Sequence, residues 1–284
     1  MKKLSKGIFM NTLQNLHTHS RFCDGADTPE EMIQSALAQN LGAIGFSGHA
    51  YAPFSPYCAG KPDLTDSYKA EIRRLQEKYR AQLPVFLGLE VEMLAAVDIQ
   101  DYDYLLGAVH YLKEGDTYIG FDRDADTVAQ IIHRHFGGNG MAYAKAYYKT
   151  LANLPDYGDF DIVAHFDIIT KHCQTHDFFD TDSKEYLHAA FEAIEALAGK
   201  IPYFEVNTGA IARGYRTTPY PHAPIIKELF RRGFGAVITS DCHDRRQLTC
   251  HFDQAAQLLQ DCGCREKYIL TQEGFIPVPL IYER

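Results

Sequence analysis

The chain has 284 residues, 46% of them hydrophobic, which is enough for one sizeable buried core, so we expect a single domain over residues 1–284. Its 37 acidic and 28 basic side chains leave a net charge of −9, which disfavours nucleic acid as a partner because phosphate contacts would meet general repulsion. The apolar run at 7–10 is too short for a secretory signal and no later run approaches a membrane span, so we expect a cytoplasmic protein without a membrane partner.

Short apolar runs alternate with amphipathic stretches along the chain, and their spacing predicts a succession of strands and helices. The first helix has a clear start, since the Thr28 side chain can cap free amides and Pro29 suits a first turn. The predicted elements in chain order are a strand at 12–17, a helix at 29–40, a strand at 43–47, a helix at 65–82, a strand at 84–90, a strand at 104–110, two helical stretches between 125 and 154, a strand at 160–165, a helix at 183–199, a strand at 202–207, a helix at 222–232, a strand at 234–240, a helix near 254–260 and a strand at 267–271.

This alternation favours an α/β fold. Repeated strand and helix units bury a parallel sheet between helices, and seven or eight such units can close into a barrel. No low-complexity linker or repeat divides the chain. Barrel enzymes carry their chemistry at the C-terminal ends of the strands, so we look there for functional residues.

Side chains that bind metals follow nearly every predicted strand. They are His17 and His19, His49, Glu90, His110, His165, Glu205 and Asn207, and Asp241 and His243. In an extended chain residues i and i+2 point to the same face, so His17 with His19, His165 with Asp167 and Asp241 with His243 could each present two groups together. Imidazole and carboxylate ligands suit zinc, manganese and iron, and the number of ligands predicts a polynuclear metal centre.

Each histidine alone has a simpler interpretation, because a single histidine near a strand end is usually hydrogen-bonded or solvated. Repetition at successive strand ends is what favours ligands over structural residues. The same reasoning makes Asp24, otherwise a turn residue beside Gly25, a candidate ligand. Cys23 and Cys242 are interpreted as small packing residues, and the odd number of cysteines, seven, favours reduced thiols.

In this order and spacing the motifs resemble the PHP (polymerase and histidinol phosphatase) superfamily, whose members share an H-x-H motif and later Glu, His, H-x-D and D-x-H motifs. These motifs correspond here to His17-Thr18-His19, Glu90, His110, His165-Phe166-Asp167 and Asp241-Cys242-His243. The surrounding HTHSRFCDG, PEEMIQSAL and GAIGFSGHA are similar to the stand-alone histidinol-phosphate phosphatases. The resemblance implies a distorted (β/α)7 TIM-like barrel, with the active site at the C-terminal ends of the strands.

The resemblance also implies three divalent metal ions, Zn, Mn or Fe. The implied ligands are His17, His19, Glu90 and Asp241 for the first ion, Glu90, His110 and His165 for the second, and Asp24, His49 and His243 for the third. Two positions depart from the pattern of relatives. Gly48 stands where many carry an aspartate, and Lys171 stands near where many carry an arginine, so that a point charge replaces a planar fork.

The implied activity is hydrolysis of a small phosphomonoester, L-histidinol phosphate, to L-histidinol and phosphate, a step of histidine biosynthesis. A hydroxide bridging two ions would attack phosphorus in line, while the ions and Arg213 neutralise the phosphoryl oxygens. The cluster members Glu90, Asp241 and His243 are assigned the catalytic role, and Arg213 and Lys171 the binding of substrate. The alternative interpretation of Arg213 is a solvated loop charge, and its competitors for the contact with phosphate are Arg216, Arg245 and Arg246.

Two alternatives remain open from the sequence. A PHP-type phosphodiesterase or exonuclease would use the same cluster on a nucleic-acid backbone, but the net charge and the lack of a Lys/Arg-rich stripe with aromatics disfavour it. A non-catalytic metal-binding interaction domain is the other, and the presence of all nine ligand side chains argues against it.

Overall fold

The computed structural model describes residues 11–56 and 63–280, so the apolar run at 7–10 and Cys58 lie outside the described residues. The strands are β1 Gln14–Asn15, β2 Ala43–Phe46, β3 Val85–Glu92, β4 Tyr104–Ala108, β5 Tyr111–Glu114, β6 Thr117–Gly120, β7 Ile162–Val163, β8 Tyr203–Asn207, β9 Gly235–Thr239, β10 Glu266–Thr271 and β11 Gly274–Pro279. Seven of them pair in parallel in the order β1-β2-β3-β4-β7-β8-β9. The parallel barrel expected from the sequence is therefore the observed fold.

Helices connect the strands and cover the outside of the barrel. They are α1 Pro29–Ala38, α2 Thr65–Tyr79, α3 Ala125–Phe136, α4 Gly140–Leu151, α5 Lys184–Leu197, α6 Gly209–Ala212, α7 Ala223–Arg231 and α8 Phe252–Asp261. The α1 start is as predicted, because Thr28 accepts the Glu31 amide and Glu31 accepts the Thr28 amide in a capping box. Within the described residues, none of these helices has the length and apolar character needed to cross a membrane.

The barrel closes between β1 and β9 through a short contact instead of a long ladder. Thr18 and Cys242 form a parallel bridge, in which the His19 amide donates to Cys242 O at 2.9 Å. Below the bridge the Asn15 side chain donates to Ser240 Oγ at 2.7 Å. Because β1 and β7 are only two residues long, the barrel is distorted where they lie.

Side-chain alternation on the strands separates two apolar layers. On β3, Phe86 packs in the barrel interior, whereas Leu87 and Leu89 pack against the helices. The interior layer also contains Tyr104 and Leu106 of β4. Since alternate residues face the interior, the same face of β3 continues to Glu90 at the C-terminal end of the barrel.

Two antiparallel hairpins were not expected from the sequence. The strand predicted at 267–271 does not join the barrel, since β10 pairs with β11 and the hairpin covers the N-terminal end. Its Leu270 packs into the interior layer and exchanges two hydrogen bonds with the Gln14 side chain. The other hairpin, β5 with β6, follows His110 at the opposite end of the barrel.

Close packing around Tyr104 predicts a clear effect of adding one methyl group. A Cβ at Gly88 would lie 2.2 Å from Cζ of Tyr104, whose ring is buried and whose hydroxyl donates to Leu16 O at 2.5 Å. Gly88→Ala should therefore lower the free energy of unfolding by about 1–3 kcal/mol, measured by denaturant titration. Ser67→Ala on the exposed face of α2 is the control, and an equal effect of both substitutions would contradict this packing argument.

Candidate metal centre

The C-terminal ends of the barrel strands bring all nine predicted ligand side chains together. The nine lie in three groups, and within each group the candidate ligand atoms are no more than 4.8 Å apart. The first group is His17, His19 and Asp241, the second is Glu90, His110 and His165, and the third is His19, Asp24, His49 and His243. The strand order explains this convergence, since parallel strands end at one rim. Which of these side chains bind ions stays a prediction.

The first group joins the two histidines that follow β1 to the aspartate that follows β9. His17 Nε2 and His19 Nε2 lie 3.5 and 3.1 Å from Asp241 Oδ1. Glu90 Oε2 lies 3.5 Å from His17 Nε2 and 3.6 Å from His19 Nε2. These four side chains are the set that the family resemblance implies for the first ion.

The second group forms around the other oxygen of Glu90. Glu90 Oε1 lies 2.9 Å from His165 Nε2 and 3.5 Å from His110 Nε2, and the two imidazole nitrogens are 3.2 Å apart. Glu90 thus faces the first group with Oε2 and the second group with Oε1. This is the arrangement needed of a carboxylate shared between two ions.

The third group is arranged around Asp24. Asp24 Oδ1 lies 3.3 Å from His243 Nε2 and 3.7 Å from His19 Nδ1, and Oδ2 lies 3.6 Å from His49 Nε2. His19 therefore faces two groups, which the sequence did not indicate. The other nitrogen of His49, Nδ1, lies 2.7 Å from Glu90 Oε2. Gly48 stands where many relatives carry an aspartate, and in this chain the carboxylate beside His49 is that of Glu90.

Unpaired buried atoms show that these residues fit divalent ions. Among the described residues, His17 Nε2, His19 Nε2 and Asp24 Oδ1 are buried without a hydrogen-bond partner. Such atoms are costly to leave unpaired, and in this structure they face one another across the spaces within the groups. Imidazole and carboxylate donors without a thiolate suit zinc, manganese or iron.

Two carboxylates and one imidazole of the cluster are held in the charge state that cation binding requires. Burial alone would raise the pKa of Glu90, but the surrounding histidines, His49 first, hold it well below its usual value. Burial opposes the charge of Asp241 as well, but Arg213 and His17 hold its pKa well below its usual value. Burial and neighbouring imidazoles lower the pKa of His19 to about 3. Ionised carboxylates and a neutral imidazole are the forms that bind metals.

Two further carboxylates orient the candidate ligands, and sequence reasoning did not assign them this task. Glu205 is buried on β8, where it lies 2.8 Å from His17 Nδ1 and accepts the His165 amide at 2.6 Å. Glu92 accepts the His110 amide at 2.7 Å and lies 3.1 Å from His110 Nδ1. A carboxylate on the second nitrogen fixes the tautomer and direction of a ligand imidazole. The signal for both was their position on the interior face of a strand near its end.

The expectation that His165 and Asp167 point to the same face is wrong. The chain turns after β7, where His165 has a φ of 22°, so the alternation of an extended strand does not apply. Asp167 is buried away from the three groups, and its Oδ2 accepts the His222 amide at 2.9 Å. Asp241 also has a positive φ, 47°, which marks a second strained backbone position among the candidate ligands.

Members of all three groups line a cavity of about 250 Å³. Arg213 and Lys171 line it too, and they are its two lysine or arginine side chains among the described residues. Arg213 donates to Asp241 O at 2.8 Å and to Asp241 Oδ2 at 3.0 Å. Lys171 Nζ donates to Asp122 Oδ1 at 2.8 Å and lies 4.4 Å from the ring centroid of Tyr215.

The competitors of Arg213 do not line this cavity. Arg216 is buried and donates to the backbone oxygen and hydroxyl of Thr170. Arg245 forms ion pairs with Asp27 and Glu31, and Arg246 with Asp244. Their positions leave Arg213 as the arginine that faces the candidate centre in the described residues.

Comparison with known proteins agrees with this architecture. The family model described as PHP domain matches residues 15–209. A protein of Deinococcus radiodurans named "probable histidinol-phosphatase" is 28% identical over 270 residues, covering 90% of this chain and 96% of that protein. The histidinol-phosphatase of Bacillus subtilis is 24% identical over 254 residues, covering 80% of this chain and 92% of that protein.

A solved structure extends the comparison to the fold. Histidinol phosphate phosphatase from Lactococcus lactis, solved with Zn, L-histidinol and phosphate, has a TM-score of 0.69 to this chain at 18% identity. The match covers 93% of this chain and 99% of the other. It shows that the two chains share a fold, and the predicted TIM-like barrel of the PHP type is confirmed.

The contacts of Glu205 predict that metal affinity depends on a side chain outside the three groups. Glu205→Gln keeps the size of the side chain but removes the charge that fixes His17, so zinc affinity should fall about ten- to a hundredfold. The measurement is titration of the metal-free protein with zinc. Glu266→Gln on the exposed start of β10 should bind zinc like the unsubstituted protein. Equal affinity in both variants would refute the orienting role.

Proposed function

Because the chain belongs to the PHP domain family, we propose that it is a metal-dependent phosphatase that hydrolyses L-histidinol phosphate to L-histidinol and phosphate, a step of histidine biosynthesis. The observation that carries the proposal is the convergence of three groups of candidate metal ligands on one cavity of about 250 Å³. The histidinol-phosphatase names of relatives that align along most of their length with this chain support the substrate.

The cavity and the charge of the chain favour a small phosphomonoester over a nucleic acid. A phosphate monoester needs a nucleophile formed at neutral pH and positive charge around its oxygens. Five carboxylates line the cavity, and the whole chain carries a net charge of −9, so a long polyanion would be repelled beyond the reaction centre. We therefore place the phosphodiesterase or exonuclease second, and a non-catalytic binding domain third. We propose that the enzyme acts on a small-molecule substrate and that it is cytoplasmic.

We propose three bound ions, zinc, manganese or iron, on the three groups of ligand atoms. The chemistry that bound divalent ions supply is activation of water as a nucleophile and neutralisation of charge on the phosphoryl oxygens. Glu90 would hold two of them together, since its two oxygens face different groups. Asp241 and His243 would hold the first and third ions. These three side chains therefore fix the positions at which hydrolysis occurs.

Arg213 and Lys171 are proposed to bind the phosphoryl oxygens that face away from the ligand groups. Two of the five N–H donors of Arg213 are hydrogen-bonded to Asp241, which fixes the guanidinium at the edge of the centre and leaves its other donors for an anion. Lys171 supplies a second cation, held in place by Asp122. Both side chains would bind and orient the substrate without covalent chemistry. Because the proposed nucleophile is water, the proposed reaction forms no phosphoenzyme.

The proposed activity is tested by measuring phosphate release from L-histidinol phosphate, from a panel of other phosphomonoesters and from a phosphodiester. We expect L-histidinol phosphate to have the highest kcat/KM, metal analysis to give close to three divalent ions per chain, and chelation to abolish turnover while the circular dichroism spectrum retains the folded signal. Preference for the diester would favour the second function, and full activity of metal-free protein would refute the metal-dependent one.

A substitution series at Arg213 tests its contact with phosphate. Arg213→Ala removes charge-assisted hydrogen bonds worth about 1.5–3 kcal/mol, so kcat/KM should fall about ten- to a hundredfold. Arg213→Lys should recover part of the loss, because an ammonium cannot make a planar two-point contact. Metal content is measured on both variants because Arg213 also binds Asp241. Wild-type kinetics in Arg213→Ala would return Arg213 to a solvated loop charge.

A further inference from the structure

Two connections at the C-terminal end of the barrel carry the cations that we assign to the phosphate. The Lys171 loop, residues 164–183 between β7 and α5, carries Lys171, and the Arg213 loop, residues 208–222 between β8 and α7, carries Arg213. The loops are separate in sequence, so the distance between the two cations depends on contacts that join the loops. Arg216 makes such contacts, and the proposed hydrolysis does not use it.

The guanidinium of Arg216 joins the two loops from within the protein, where the residue is 8% exposed. In the Lys171 loop, its Nη1 donates to Thr170 O at 3.1 Å and to the Thr170 hydroxyl. In its own loop, its Nε donates to Thr218 O at 3.2 Å and its Nη2 to Thr218 Oγ1 at 3.4 Å. A planar guanidinium donates in fixed directions, so it holds one threonine of each loop in a fixed relative position.

The position of Thr170 sets the backbone of Lys171, which is the next residue. The amide and the hydroxyl of Thr170 donate to Asp167 O at 2.9 and 2.8 Å, so Thr170 is fixed within its own turn. The Asp167 side chain in turn accepts the His222 amide at 2.9 Å. The start of the Lys171 side chain is therefore placed by contacts between the two loops.

The ammonium end of Lys171 also depends on the Arg213 loop. It lies 4.4 Å from the ring centroid of Tyr215, the residue before Arg216. The amides of Tyr215 and Arg216 both donate to Ala210 O, at 2.9 and 3.3 Å, which ties them to α6. Arg213 directly follows the same helix. Arg216 therefore lies between the contact with Thr170, the ring beside Lys171 and the helix that carries Arg213.

A second contact joins the two loops at the exposed surface. Gln174 Oε1 accepts the Thr217 amide at 2.8 Å, and the Gln174 side chain donates to Thr218 Oγ1 at 3.1 Å. Water competes for exposed hydrogen bonds, whereas removing a buried donor leaves its partners unpaired. The buried contacts of Arg216 are therefore expected to contribute more to the relative position of the loops than those of Gln174.

We propose that Arg216 is a positioning residue that sets Lys171 at the distance from Arg213 at which both cations contact one phosphate. This proposal rests on the proposed function, which assigns both cations to the phosphoryl oxygens. Arg216 does not line the cavity, so it acts through the other two side chains and does not touch the substrate. A lysine at this position would keep the charge but lacks the planar group that contacts both loops.

The test is a double-mutant cycle on the affinity of the zinc-loaded protein for inorganic phosphate, measured by calorimetry. Lys171→Ala should weaken phosphate binding about ten- to a hundredfold in the unsubstituted protein. In the Arg216→Lys background it should weaken binding by less than about threefold, because Lys171 is no longer held against the phosphate. Arg216→Lys alone should raise KM for the phosphomonoester more than it lowers kcat. Arg134→Lys, on the exposed face of α3, is the control and should keep the full effect of Lys171→Ala.

Thr170→Val provides a second background in case Arg216→Lys does not fold. It keeps the shape of the side chain but removes the hydroxyl that the guanidinium contacts, so it should reduce the effect of Lys171→Ala in the same direction. Zinc content and the circular dichroism spectrum are measured for each variant, so that only folded and equally loaded proteins are compared.

The outcomes separate this proposal from the proposed function. If Lys171→Ala weakens phosphate binding by the same factor in every background, Arg216 only stabilises the fold and the positioning role is overturned. If Lys171→Ala has no effect in the unsubstituted protein, Lys171 does not bind phosphate and the positioning role is overturned as well. If the two substitutions are coupled but no phosphomonoester is hydrolysed, the positioning role holds and the proposed function fails.

Discussion

The buried carboxylate of Glu90 determines what the rest of the rim must be. Its side chain is 1% exposed, and nitrogen atoms of five histidines lie within 3.6 Å of its oxygens. A charge in this position is stable only with opposite charge around it. Protons cannot supply that charge at every histidine, because burial and then the neighbouring imidazoles of His243 and His49 lower the pKa of His19 to about 3. The divalent ions that we propose would satisfy the carboxylate and the neutral imidazoles together.

The remaining parts of the site support this cluster from outside. Glu205 and Glu92 fix the direction of His17 and His110, and Arg213 fixes Asp241. Each of these contacts joins a different pair of strands or strand-end loops, so the cluster is only as well ordered as the barrel that carries it. Tyr104 and the apolar layer beneath it provide that order, since close packing leaves the strand ends little freedom to shift.

The sequence was informative where the local pattern and the fold agree. His49 and His110 follow regular strands and Glu90 lies near the end of one, so their position at the rim could be predicted from apolar runs alone. The position of Asp167 could not be predicted, because the chain turns at His165 with a positive φ that no local sequence pattern indicates. The hairpins were missed for another reason. A short strand that pairs with the next strand in a hairpin has the same apolar pattern as a short strand of a barrel. Only tertiary contacts therefore distinguish the strand at 267–271 from a barrel strand.

The seam between β1 and β9 joins residues far apart in the chain, Asn15 and Ser240, which are 225 positions apart. Until β9 has formed, β1 has an unpaired edge and His17 and His19 have no Asp241 beside them. A chain emerging from the ribosome therefore lacks one of the three candidate ligands of this group for most of its synthesis. Since long-range parallel pairing is slow to form, we expect barrel closure to be a late step of folding and this group of candidate ligands to be complete only after translation of β9 and Asp241.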